Sequence, residues 1–228
     1  MIVNFGDAFA NLMPKLMKSL LVVVEITALA FIIALILGFI IAIGRICKKK
    51  IINIVLLIIV EFFRGTPLLV QCFYIYFVIP ALFKLCGMSL SITAFTAGVI
   101  GFGLNYGCYM SEVIRSAILS VDSGQKEAGL ALGFSETQVM LRFIIPPAVR
   151  TTIPVFGNYL ITMIKDTSIL ASISVAEMLL VTKNYAASTF QTIESYTLLA
   201  LLYLVISLPL SQLVRMLEKK MNRTKRAK

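Results

Sequence analysis

The sequence predicts an all-α integral membrane protein with five transmembrane helices, the N-terminus outside and the C-terminus in the cytoplasm. Three observations carry that prediction. Of 228 residues, 59% are hydrophobic and only 14% charged, with a mean hydropathy of +0.95; a soluble domain keeps about a quarter of its residues charged. Apolar runs long enough for roughly 30 Å of hydrocarbon recur five times. Basic residues, finally, gather on alternate connections. The same arithmetic excludes a cytosolic enzyme, a secreted disulfide scaffold and a disordered chain.

The first run, 19–44, carries one charge, Glu25, and is too long for a signal-peptide core with no small-residue cleavage site after it. The second, 51–80, would measure about 45 Å as one straight helix, so a long tilted helix is expected, broken at Gly65 and Pro67. Runs three to five are 92–117, 153–173 and 196–213. Residues 45–50 hold four Lys and Arg, 115–150 hold four and 215–228 hold seven. Opposite connections offer Lys15 and Lys18, Lys84, and Lys183, which sets the orientation by the positive-inside rule. The net charge of +10 therefore suits lipid headgroups and a membrane face rather than nucleic acid. No internal repeat is visible, and an odd number of spans cannot divide into two inverted halves.

Chemistry is narrowed by what the residues are. The chain has no histidine and four cysteines, Cys47, Cys72, Cys86 and Cys108, without CxxC spacing, so neither a metal site nor a catalytic residue is expected and the thiols read as small apolar fillers. HExxH and GxSxG signatures are absent, as is the GxxxxGK[ST] phosphate loop.

Between runs three and four, 118–150 forms the longest connection on the basic side. Asp122 or Ser123 caps a short helix, Ala128, Leu130, Ala131 and Leu132 give it an apolar side, and Gly133 ends it. Such a helix is either a docking surface or an amphipathic connector. Pro146 and Pro147 are expected to break the helix before the chain re-enters the membrane.

Two charged groups lie at membrane depth, where charge is costly. Glu61 and Arg64, three residues apart, share a helix face and read as a structural pair holding the Gly65–Thr66–Pro67 break. Asn158, Thr162, Lys165 and Asp166 form a polar stripe on span four, bordered by Tyr159. The stripe is either part of a substrate path or a polar seam between helices. Thr66 and Asn105 are the further path contacts, whereas Gly103 and Gly107 read as a packing pair.

The connection also carries a family signature. Glu127-Ala128-Gly129, three residues, Gly133, nine residues, then Phe143-Ile144-Ile145-Pro146 resembles the EAA loop of permease subunits of binding-protein-dependent ABC importers. The departures are Gly129 for the second Ala, Phe143 for Ile and Ile145 for Leu. Residues 61–71, Asn105 to Arg115 with Tyr109 and Glu112, Gly157-Asn158 and Lys165 to Ser168 are similar to the polar amino-acid uptake branch.

The resemblance implies a type I importer permease fold over residues 1–228 in a bacterial inner membrane. It also implies an ATPase-coupling surface of Gln125, Glu127, Ala128, Gly129, Gly133 and Pro146, with Gly129 a close-approach position and Glu127 a charged contact. Two cytoplasmic ATPase subunits would hold ATP and Mg, and this chain no cofactor. A second permease, identical or different, would complete the path, and an extracellular or periplasmic binding protein would deliver the amino acid. With Lys165 beside Asp166, a neutral polar amino acid is expected before a cationic one.

Overall fold

The computed structural model describes residues 4–47 and 49–226. Lys48 and Lys228, from the two basic runs, lie outside them. Helix α1 (Phe5–Ile46) begins with the Asn4 side chain accepting the Asp7 amide, fourteen residues before the apolar run read from sequence. It packs along α5 (Ala94–Leu119) through glycines. A Cβ at Gly103 would lie 2.7 Å from Ile33, and one at Gly107 3.1 Å from Leu37. These contacts advance together along both chains, so the two helices run parallel, and the small residues permit the close approach.

The second apolar run is divided where its sequence indicates. Helix α2 (Lys50–Gly65) stops at extended Thr66 and Pro67, and α3 (Leu68–Phe73) starts on the far side. A π turn over Tyr74–Val78 then leads into α4 (Ile79–Leu85). After α5 come α6 (Ser123–Ala131), α7 (Glu136–Val139), a π turn over Met140–Ile144 and α8 (Ile145–Asp166). A 3₁₀ stretch, Thr167–Ile173, is followed by α9 (Met178–Thr189) and α10 (Thr192–Arg226).

One expectation fails here. Pro146 and Pro147 do not break the chain, which stays helical from Glu136 to Ile173. The Ile145 amide bonds Met140 across the π turn, and this widened turn directly before Pro146 and Pro147 lets the helix run on past residues that would clash with a regular preceding turn.

Among the described residues four helical runs are long and apolar enough to cross a membrane: Phe5–Ile46, Leu68–Leu85, Glu136–Ile173 and Thr192–Met221. The less apolar α5 is instead the most enclosed element, with Phe102, Met110 and Ile114 fully buried at the centre of the main core. A second core joins Leu12, Leu16 and Val23 of α1 to α9 and α10.

Candidate functional site

The break between α2 and α3 leaves backbone groups without helical partners. Two buried amides take up two of them, the Phe63 and Thr66 carbonyls. Gln71 Nε2 donates to the Phe63 carbonyl (2.7 Å), the Thr66 carbonyl (3.0 Å) and Thr66 Oγ1 (2.8 Å). The Thr66 hydroxyl passes its own proton to the Phe62 carbonyl at 2.9 Å. From α5, Asn105 Nδ2 donates to Gln71 Oε1 and to the Phe63 carbonyl, both at 3.1 Å.

Beside the break opens a cavity of about 500 Å³. Arg64, Gly65, Thr66, Pro67 and Leu68 line one wall, Asn105, Tyr106 and Tyr109 of α5 a second, and Tyr159, Thr162 and Asp166 of α8 a third. Three tyrosines form its aromatic floor: the Tyr159 ring lies 5.9 Å from Tyr106 and 6.4 Å from Tyr109. The Tyr106 hydroxyl donates to Asp166 Oδ2 at 2.6 Å. Across the cavity, the Arg64 guanidinium stands 5.3 Å from the Tyr109 ring centroid, within cation–π range. A cation and a carboxylate thus face one space, separated by hydroxyls and an amide.

Of the path residues read from sequence, Thr66, Asn105, Tyr159, Thr162 and Asp166 meet at this cavity; Asn158 and Lys165 are exposed and do not line it. At 100° per residue Tyr159, Thr162 and Asp166 fall within roughly 60° of one another, with Asn158 and Lys165 on the flank. Arg64, assigned from sequence to structure, lines the space, although its contact with Glu61 is also made, at 3.7 Å between exposed side chains. Reading by residue type missed Tyr106. Its signal was a hydroxyl one residue from Asn105 on the same helix.

The connection between α5 and α8 builds a separate surface. Asp122 caps α6 by accepting the Gly124 amide at 2.7 Å, and Gly133, at φ +85°, ends the turn after it. Gln125, Glu127, Ala128, Leu130, Ala131 and Leu132 are exposed, Leu132 at 75%. Gly129 alone on α6 is buried, and a Cβ there would lie 2.8 Å from Val139 Cγ2. Its close approach is therefore to this chain's own α7. Exposed Pro146 opens α8. Near the end of α5, Glu112 pairs with Arg45 of α1 and with Arg115 at 3.1 Å.

Two further features concern chemistry. Fully buried Glu177 caps α9, accepting the Leu179 and Leu180 amides at 2.8 Å each. Burial pushes its carboxyl above the ordinary range despite those amides. Among the described residues no group of three or more His, Cys, Asp or Glu could hold a metal ion.

A model of binding-protein-dependent transport system inner membrane components matches residues 11–223. The chain belongs to this family. Among related permeases, the probable amino-acid ABC transporter permease protein PatM of Vibrio harveyi is 37% identical over 93% of this chain and 94% of its own length. The glutamine transport system permease GlnP of Escherichia coli is also 37% identical, over 91% and 93%. The L-cystine transport system permease TcyB of Bacillus subtilis is 36% identical, over 92% and 88%. A solved amino acid ABC transporter, crystallised with histidines, superposes with a TM-score of 0.87 at 33% identity, covering 96% of this chain and 100% of the other. An inward-facing MetNI structure, at 18% identity and a TM-score of 0.63, shares the fold. This permease family is a membrane transport component rather than an enzyme, and its own description makes it dependent on a binding protein.

Proposed function

We propose that this permease carries a polar amino acid through the cavity between the α2–α3 break, α5 and α8, as the membrane subunit of an ABC importer. The observation that carries the reading is that Arg64 and Asp166 both line one space, together with Tyr, Thr and Asn groups. A zwitterion needs a cation for its carboxylate and an acceptor for its ammonium group; Arg64 and Asp166 supply them. Because the two charges balance, a neutral side chain fits better than a cationic one. Lys165, the cation of the stripe read from sequence, lies on the exposed flank, which favours Arg64 for this role. Relatives named for glutamine and cystine support the substrate class.

In this reading the chain crosses a bacterial inner membrane five times, α5 being the fifth span beside the four strongly apolar runs, with the N-terminus outside. Two ATPase subunits dock on α6 and hold the ATP and Mg, a second permease closes the path, and a binding protein delivers the substrate. Exposed Glu127, Leu130 and Leu132 support the docking role.

Asp166→Asn tests the path. Uptake should fall in a complex that still assembles and hydrolyses ATP. Wild-type uptake by that variant would remove the path assignment, and a loss of complex yield in proportion to lost uptake would return Asp166 to a polar seam between helices.

A further inference from the structure

We infer that Gln71 is a positioning residue for passage through the cavity: its side chain holds the α2–α3 break in the extended form that puts Gly65, Thr66, Pro67 and Leu68 on the cavity wall. The inference rests on the proposed path but not on which amino acid follows it.

Gln71 is 6% exposed and does not line the cavity. Every polar atom of its amide is nevertheless engaged. Nε2 divides two hydrogens among three oxygens, of Phe63 and Thr66, while Oε1 accepts from Asn105. The orientation of the amide follows from these partners, since the reverse would set Oε1 against three oxygens. Asn105 Nδ2 likewise shares its hydrogens between Gln71 Oε1 and the Phe63 carbonyl, so Asn105 meets a substrate only through its carbonyl oxygen. Pro67 has no amide to give the Phe63 carbonyl, and carbonyls at membrane depth demand partners. Without Gln71, the Phe63 carbonyl keeps only Asn105, and the Thr66 carbonyl loses its donor. Carbonyls so exposed favour a rearranged break in which Gly65 and Thr66 leave the wall. Gln71 thus acts on substrate through backbone it never shares with substrate.

The test uses the assembled complex in proteoliposomes, with L-glutamine and the copurifying binding protein as probe. Gln71→Met keeps the length and removes every hydrogen bond; Gln71→Glu keeps the acceptor for Asn105 and removes the donors. In both, amino acid moved per ATP hydrolysed should fall roughly tenfold, the scale of one or two buried hydrogen bonds. A second readout is the break itself. A Cβ at Gly65 meets nothing within 4 Å, so Gly65→Cys, with exposed Cys47 and Cys86 changed to Ser, gives a tolerated thiol on the wall. Its labelling rate by a water-soluble reagent should change with Gln71→Met. An unchanged transport ratio or an unchanged labelling rate overturns the inference. Should Gln71→Met fail to assemble, the transport ratio of Gln71→Glu decides. Failure of the path itself is seen separately, as normal uptake by Asp166→Asn beside impaired Gln71 variants.

Discussion

Tyr106 and Asp166 bridge the two helical walls of the cavity: the phenol hydroxyl of α5 donates to Oδ2 of α8 at 2.6 Å. A hydrogen bond to a charged acceptor contributes about 1.5–3 kcal/mol. Tyr106→Phe keeps the ring contact with Tyr159 and removes only this bond, so uptake should drop roughly tenfold or more while complex yield holds. Uptake equal to wild type would mean the bond is idle in transport.

Glu127 is exposed on α6 and free to be reversed without disturbing a core. Glu127→Lys is expected to leave membrane insertion intact, weaken ATPase copurification and abolish uptake, because it places a like or mismatched charge at a docking surface. Normal copurification and uptake would make α6 a connector.

Gly129 tests the same surface from beneath. Its added methyl would stand 2.8 Å from Val139 Cγ2, on a side chain 1% exposed. Overpacking of this kind costs about 1–3 kcal/mol. Gly129→Ala should therefore lower ATPase association and uptake, and Gly129→Ala with Val139→Ala should recover both. Failure of the pair to recover would show that α6 needs glycine for another reason.

Glu177 gives a pH signature. Its carboxyl is raised by burial, so the folded chain holds that proton more tightly than the unfolded one. The stabilising contribution is complete below the unfolded pKa and is lost as pH rises through the folded value. Glu177→Gln abolishes this titration. Thermal unfolding in detergent should show the wild-type midpoint falling relative to the variant as pH rises, and parallel curves would exclude the effect.

The topology is tested directly. A reporter after Lys228 should be cytoplasmic and a tag before Met1 should be labelled from outside. Both ends on one side would remove the five-span arrangement.

The all-helical character, the Gly65–Pro67 break, the Asp122 cap and the turn at Gly133 were legible because each depends on residues close in sequence. The continuous helix through Pro146 was not. Its prolines are accommodated by a π turn that no local residue announces, and only the Met140–Ile145 bond reveals it. The polar stripe on α8 was legible as a stripe, but which edge meets the cavity depends on where α5 lies. Hence Tyr159 and Thr162 face the space while Asn158 and Lys165 turn away. Gln71 and Asn105 were visible as polar residues in apolar surroundings, yet their mutual bond spans 34 positions.

The unbroken run from Glu136 to Ile173 has a mechanical consequence. Asp166 lies thirty residues along it from Glu136, about 45 Å at 1.5 Å per residue. Gly129 seats α6 on Val139, at the foot of this rod. Five degrees of pivot at the foot would carry Asp166 about 4 Å sideways along so long an arm, more than the 2.6 Å that separates it from the Tyr106 hydroxyl. A helix that runs on past its prolines, rather than ending at them, thus joins the seat of α6 to the cavity wall in one length of backbone.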